Sequence, residues 1–154
     1  MPRYTITTQT NVSLTASTPK TIAAVSTPAT RRAKLVGVSV SFDSVTATDG
    51  SVLVEIVRSD GTSAGTATSR TPVAIDSAET AALCSGFVNY TAGNEPTAYT
   101  VVDEKRITPV GGTLIEPFDF SSQPMVGATN KLLGVRLTSQ QALTNVRCTL
   151  TYEE

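Results

Sequence analysis

Alternation of apolar residues with small polar ones constrains the fold of this chain more than any other feature. Over residues 36–42 every second residue is Val or Phe, and the residues between them are Gly or Ser. A period of two places alternate side chains on opposite faces of a β-strand. We therefore predict a half-buried strand here, whose buried face carries Val36, Val38, Val40 and Phe42.

The same pattern recurs along the chain and favours an all-β fold. Clear alternation covers 52–57, 133–138 and 146–153, and weaker β-prone runs lie at 21–26, 64–70, 73–75, 87–90, 98–106 and 114–120. Gly, Pro, Asn and Asp separate these runs, as turns require. About eight strands result, which predicts an antiparallel two-sheet sandwich of the eight-stranded jelly-roll type. An immunoglobulin-like sandwich is the alternative, although its usual Trp is absent.

Two segments predict local features between the strands. The sequence Arg-Ser-Asp-Gly-Thr at 58–62 is typical of a hairpin turn, because Gly accepts a positive φ. The segment 76–83 begins with Asp-Ser and continues with Ala, Glu and Leu, so it predicts one or two capped helical turns.

The chain divides into an N-terminal segment and one domain. Residues 1–19 are rich in Thr and Ser, and their apolar side chains are widely spaced. We predict an extended N-terminal arm over 1–19, followed by a single β-sandwich domain over 20–154. The arm either pairs with the edge of its own domain or waits for a strand of a neighbouring subunit.

Charge and composition exclude several classes of partner. The formal net charge is -1 and only 16% of residues are charged, so the chain has no basic stripe for nucleic acid. The N-terminus lacks an apolar signal region, and no run is long enough for a membrane helix, so we expect folding in the cytosol. Thr and Ser must cover much of the surface, which suits close contact with other protein.

Catalysis has little support in the sequence. Histidine is absent, which removes the usual base for a Ser or Cys nucleophile. The carboxylates that a fold might gather are Asp43, Asp49, Asp60, Asp103, Glu104, Glu116 and Asp119. Most lie in or beside predicted turns, where Asp bonds to the backbone. We predict no enzyme and no small-molecule substrate.

Metal and cofactor sites are also not predicted. Cys84 and Cys148 are far apart in sequence, which fits neither a disulfide framework nor a zinc site, so we expect two buried thiols. Segment 43–49 has two carboxylates and no close third, which is too few for more than a weak calcium site.

Two surface features have a functional interpretation beside a structural one. Arg31, Arg32 and Lys34 form the basic cluster ahead of the strongest strand, where they either keep other sheets away or anchor an acidic neighbour. Tyr90 and Tyr99 flank a loop with Gly and Pro, and an exposed ring there would suit a sugar.

Several segments resemble a group of small virion proteins of tailed phages. They are 28–35, 41–43, 52–58, 131–138 and the final strand that contains Cys148 and ends at 152–154. The resemblance implies a jelly-roll decoration, or cement, protein on the outside of an icosahedral capsid, often as trimers at local threefold positions. It carries over no catalytic residue, and segment 76–109 matches no part of the pattern.

The resulting expectation is a virion structural protein, made in the host cytoplasm, that binds the major capsid protein on the capsid exterior as a homotrimer. The expected contacts to the capsid or between subunits are Arg3, Tyr4, Ile6, Arg31 and Arg32. The alternative is a receptor- or glycan-binding module of a phage tail or fibre. An enzyme that uses two of the carboxylates is the third possibility.

Overall fold

The computed structural model describes residues 1–43, 50–59, 65–91, 94–119, 121–127 and 131–154. These residues form strands and turns, and none of their segments is a helix long and apolar enough to cross a membrane. The strands are β1 (Arg3–Thr7), β2 (Val12–Leu14), β3 (Lys20–Ser26), β4 (Ala33–Phe42), β5 (Val52–Ser59), β6 (Thr68–Arg70), β7 (Val73–Ala74), β8 (Ser85–Val88), β9 (Tyr99–Ile107), β10 (Thr113–Pro117), β11 (Met125–Val126), β12 (Leu132–Ser139) and β13 (Leu143–Glu153).

The strands build two antiparallel sheets, which confirms the predicted all-β sandwich. Sheet A has the order β10-β4-β13-β1-β7, with β11 also paired to β4 and β2 also paired to β13. Sheet B has the order β6-β8-β3-β12-β5-β9. The described residues hold thirteen strands, against about eight predicted, and four of them, β2, β6, β7 and β11, are only two or three residues long.

The core lies between the sheets and follows the predicted alternation. On β13 the buried side chains are Val146, Cys148, Leu150 and Tyr152, as predicted. On β12 the alternation is again correct, with Leu133, Val135 and Leu137 fully buried. The prediction of two buried thiols is confirmed as well, since Cys84 and Cys148 are free and buried.

A β-bulge corrects the prediction for the strongest strand. Gly37 lies opposite Thr151, but the next residue of β13, Tyr152, lies opposite Leu35. Val36 is therefore an extra residue that shifts the pleat by one position. It is partly exposed, and Leu35 takes the buried position on that side of the bulge. The predicted buried face holds for Val38, Val40 and Phe42 and is wrong for Val36.

The N-terminal segment is part of the sandwich. β1 pairs with β13 along its whole length and with β7 on its other side, so the segment pairs within its own domain. Tyr4 and Ile6 lie opposite Tyr152 and Leu150, and both are fully buried. The chain itself covers these two predicted contact residues, and neither is available to a partner.

Two local predictions differ from the structure. Residues 60–62 of the hairpin turn predicted at 58–62 lie outside the described residues. A hairpin would pair β5 with the strand that follows it in sequence, but the two described neighbours of β5 are β12 and β9. The helical turns predicted over 76–83 are wrong. Asp76 Oδ1 accepts a hydrogen bond from the Ala78 N–H at 2.9 Å, and the Asp76 carbonyl accepts one from Glu79. Such local bonding by Asp competes with helix formation.

We expect Ile6→Ala to destabilise the fold by roughly 2–5 kcal/mol, because it opens a cavity beneath β1. Thr5→Ala changes the neighbouring residue on the outer face of the same strand, and should cost within about 1 kcal/mol. Urea unfolding of the purified variants measures both values. Equal, small effects would show that β1 is a detachable arm.

Alkaline pH should destabilise the protein, because burial raises the pKa of each of the Cys84, Cys148, Tyr90, Tyr99 and Tyr152 side chains. The neutral forms are favoured in the folded state. Their contribution is fully present below the unfolded pKa values, about 8.5 for Cys and 10 for Tyr, and is lost as pH rises beyond them. The urea midpoint should fall between pH 7 and pH 10.5; an unchanged midpoint would contradict this.

Candidate interaction surface

The outer face of sheet B is covered by loops of its own chain. Tyr90 follows β8 and is fully buried, where it packs in a small apolar cluster with Ala24 and Leu132. Its backbone N–H donates to the Thr21 carbonyl at 3.0 Å, which holds the loop on the sheet. The ring of Phe87 lies 6.5 Å from the Tyr90 ring and extends the cluster.

A carboxylate fastens the next part of this loop to the sheet. Both oxygens of Glu95 accept the backbone N–H of Thr21 at 2.9 Å. The Tyr99 hydroxyl lies 3.0 Å from Glu95 Oε2 and 2.6 Å from Thr21 Oγ1. Because a charged acceptor strengthens hydrogen bonds, Glu95 works as a clasp between the loop and β3.

A cross-strand ion pair also lies on the outer face of sheet B. Arg136 on β12 lies directly opposite Glu55 on β5 and donates to it through Nε at 2.9 Å and Nη2 at 3.0 Å. The guanidinium carbon also lies 4.6 Å from the centre of the Tyr99 ring. A two-pronged bond combined with cation–π contact fixes the Arg136 side chain in one orientation.

Neither tyrosine proposed for glycan binding offers a free ring. Tyr90 is buried, and Tyr99 has a guanidinium on its ring face and hydrogen-bonded neighbours at its hydroxyl. Sugar recognition by stacking needs an exposed aromatic face. The feature that would favour the glycan-binding alternative is therefore missing at these two residues.

The outer face of sheet A has a different character, and we call its central part the hydroxyl face. Its members are Thr5, Thr7, Ser39, Thr149 and Thr151, with Gly37 among them. These residues alternate with buried core residues on β1, β4 and β13, so their side chains point away from the core. All of them are partly exposed.

Register arranges the hydroxyl face in two rows across the sheet. One row runs Thr7, Thr149, Ser39 and Ile115, and the other runs Val73, Thr5, Thr151, Gly37 and Pro117. The rows lie about 7 Å apart, which is two strand rises. None of these described positions is charged. Each row has an exposed apolar side chain at one sheet edge: Ile115, 75% exposed, in the first row, and Val73, 61% exposed, in the second.

A shallow groove crosses the β10 end of this face. It has a volume of about 210 Å³ and is lined by Val36, Ser39, Ile115 and Thr149 among others. The bulge turns Val36 toward the outer face, and Gly37 leaves the floor low because it has no side chain. An apolar side chain of another protein fits such a groove better than a charged one.

The predicted basic contacts lie beside the hydroxyl face. Arg3 donates to Glu153 through Nε at 2.7 Å, in the next row of sheet A. Arg31 and Arg32 are exposed in the turn before β4. Burial raises the pKa of the Cys84 thiol most, Glu154 raises it further, and nearby Arg31 lowers it. Arg3 is therefore held at Glu153 near the end of β13.

Of the predicted carboxylates, Asp103 and Glu116 come together. Lys105 forms a salt bridge with Glu116 and lies 4.0 Å from Asp103 Oδ2. The three side chains join the β9 edge to the β10 edge, and Lys105 remains 46% exposed. Asp49 and Asp60 lie outside the described residues, as does most of the weak calcium segment 43–49. Among the described residues, no group of three or more His, Cys, Asp or Glu side chains could hold a metal ion.

Sequence reasoning missed the rows of the hydroxyl face and the Glu55–Arg136 pair. The alternation placed Ser39, Glu55, Arg136, Thr149 and Thr151 on outer faces, but their neighbours depend on strand order and register. The richness in Thr and Ser was the available signal. It indicated an uncharged surface without locating it on one sheet.

Glu55→Gln should destabilise the protein by about 1.5–3 kcal/mol, since it removes the charge that the Arg136 side chain, only 18% exposed, bonds to. Arg3→Ala breaks an ion pair whose arginine is 55% exposed, and should cost about 0–1 kcal/mol. Urea unfolding compares the two variants. An equal loss at both sites would contradict the role of burial.

Comparison with known proteins adds no relative. No protein-family model matches the chain, and no curated protein is significantly similar to it.

Proposed function

We propose that this chain is a virion structural protein that decorates and stabilises the outer surface of a phage capsid by bridging neighbouring capsid subunits. The hydroxyl face of sheet A is the surface that meets the capsid, and Arg3, Arg31 and Arg32 orient the contact from its margin. The resemblance to small phage virion proteins supports the capsid as the partner. The trimer implied by that resemblance stays a prediction for the protein docked at local threefold positions of the capsid.

The single observation that carries this proposal is the difference in cover and charge between the outer faces of the two sheets. Loops, the Glu95 clasp and the Glu55–Arg136 pair cover sheet B, whereas the central rows of sheet A are open and uncharged. Burying an uncharged face avoids the desolvation cost of charged groups. Its short side chains also lose little rotamer freedom in a contact.

Stabilisation of a shell follows from mass action. A protein that binds the assembled lattice but not free subunits shifts the equilibrium toward the lattice. Many identical contacts then reinforce one another, even when each is weak. A rigid sandwich suits this role, because its face keeps one shape while a capsid expands.

Copy number is the first test of the capsid assignment. Quantitative mass spectrometry should find the protein in purified virus particles made by the genome that encodes it, in a ratio near one to the major capsid protein. A handful of copies per particle would support a tail or fibre component instead. Complete absence from the particles would overturn the virion proposal.

Thr149→Lys should abolish attachment to capsids that lack the protein, because it places a long charged side chain in the centre of the hydroxyl face. Ser77→Lys adds the same charge at an exposed turn and should attach like the wild type. Co-sedimentation with capsids measures both, and circular dichroism checks the fold. Equal attachment of the two variants would exclude the hydroxyl face as the contact.

A further inference from the structure

The edge of sheet B formed by β9 is long and exposed. β9 spans nine residues, and within the described chain its one strand neighbour is β5. Val101 and Val102 are 41% and 45% exposed on this strand. Proteins usually shorten, cover or protect such an edge, since it offers unpaired backbone groups to another strand.

The open side of β9 can be identified from a backbone hydrogen bond. The N–H of Glu104 donates to Asp103 Oδ1 at 2.9 Å, so it points away from β5. Residues 104 and 106 then share this direction because backbone groups alternate along a strand. A bulge at Val102 interrupts the pairing with β5, but Asp103–Ile107 pairs without a shift. The regular part of the edge is therefore centred on Lys105.

The charges on this regular part have a self-complementary order. The sequence is Asp-Glu-Lys-Arg over 103–106, two acidic residues followed by two basic ones. In an antiparallel pair of two such strands, each acidic half meets a basic half. Opposite charges across strands are stabilising and like charges are not, so the order favours antiparallel pairing over parallel.

Geometry selects one register. A two-fold axis beside Lys105 places Glu104 of each copy opposite Arg106 of the other copy. The contact therefore contains two equivalent pairs of opposite charge. The two Lys105 side chains also meet, but each is already paired with Glu116 of its own chain. An axis beside Glu104 would instead set two Glu104 carboxylates against each other.

We propose that β9 pairs antiparallel with β9 of a second copy across a two-fold axis beside Lys105, which joins two B sheets into one continuous sheet. The contact is isologous, as in most homo-oligomers. It adds backbone hydrogen bonds between the two edges, as strand addition does. In the dimer, a backbone carbonyl of the second strand accepts the hydrogen bond from the Glu104 N–H in place of Asp103 Oδ1. The Asp103 carboxylate is then free to pair with Lys105.

The test uses charge exchange at two exposed positions. Glu104→Arg leaves basic side chains at 104 and 106, and Arg106→Glu leaves acidic ones at both. Each variant alone sets like charges across the axis and should be a monomer. An equimolar mixture restores opposite charges and should form a heterodimer. Glu79→Arg changes charge by the same amount at an exposed position away from β9, so it serves as the control.

Sedimentation velocity on purified protein measures the masses. Wild type and Glu79→Arg should sediment at twice the mass of one chain, and added salt should weaken the dimer because these pairs are exposed. A monomeric or trimeric wild type, or two single variants that remain dimers, would overturn the proposal. So would a mixture that stays monomeric. No capsid is involved, so this result is independent of the attachment test.

Discussion

The fold depends on the pairing of β13 with its neighbours on both sides. This eleven-residue strand lies between β4 and β1, and it also holds the short β2. Its buried residues supply the centre of sheet A's core face, and its outward Thr149 and Thr151 form the middle of the hydroxyl face. Loss of β13 would leave three pieces that share no strand pairing among the described residues: β4 with β10 and β11, β1 with β7, and β2 alone. Core and candidate surface are thus two sides of one strand.

The two sheets divide the tasks of the molecule. The outer face of sheet B lies under loops of its own chain, with a small apolar cluster and a part-buried polar network beneath them. Sheet A leaves its outer face open and keeps charge at the margins, where Arg3 and Glu153 form a pair. This open face is the one that we propose for the contact with the capsid. The lateral edge at β9 is a separate surface with a different, charged chemistry.

Local sequence predicted the strands better than their surroundings. The period of two identified β12 and β13 and their buried faces, because each strand has one apolar side. It failed at Val36, since a bulge adds a residue without changing the composition of the strand. For the N-terminal segment it left two outcomes open, pairing within the domain or with a neighbouring subunit, because Thr-rich spacing does not reveal a partner 142 or more residues away. Register set the rows of the hydroxyl face, and register is a long-range property.

The place of β13 in sheet A also determines when the chain can fold during its synthesis. Among the described strands β1 is made before the others, but its main partner, β13, is made after them, with Arg3 opposite Glu153. Until that partner leaves the ribosome, Tyr4 and Ile6 have no core to enter, and β1 and β4 both present open edges. Sheets dominated by such distant pairings form slowly and expose aggregation-prone edges meanwhile. If synthesis stopped before β13, the released chain would contain strands β1 to β12 but could not complete sheet A.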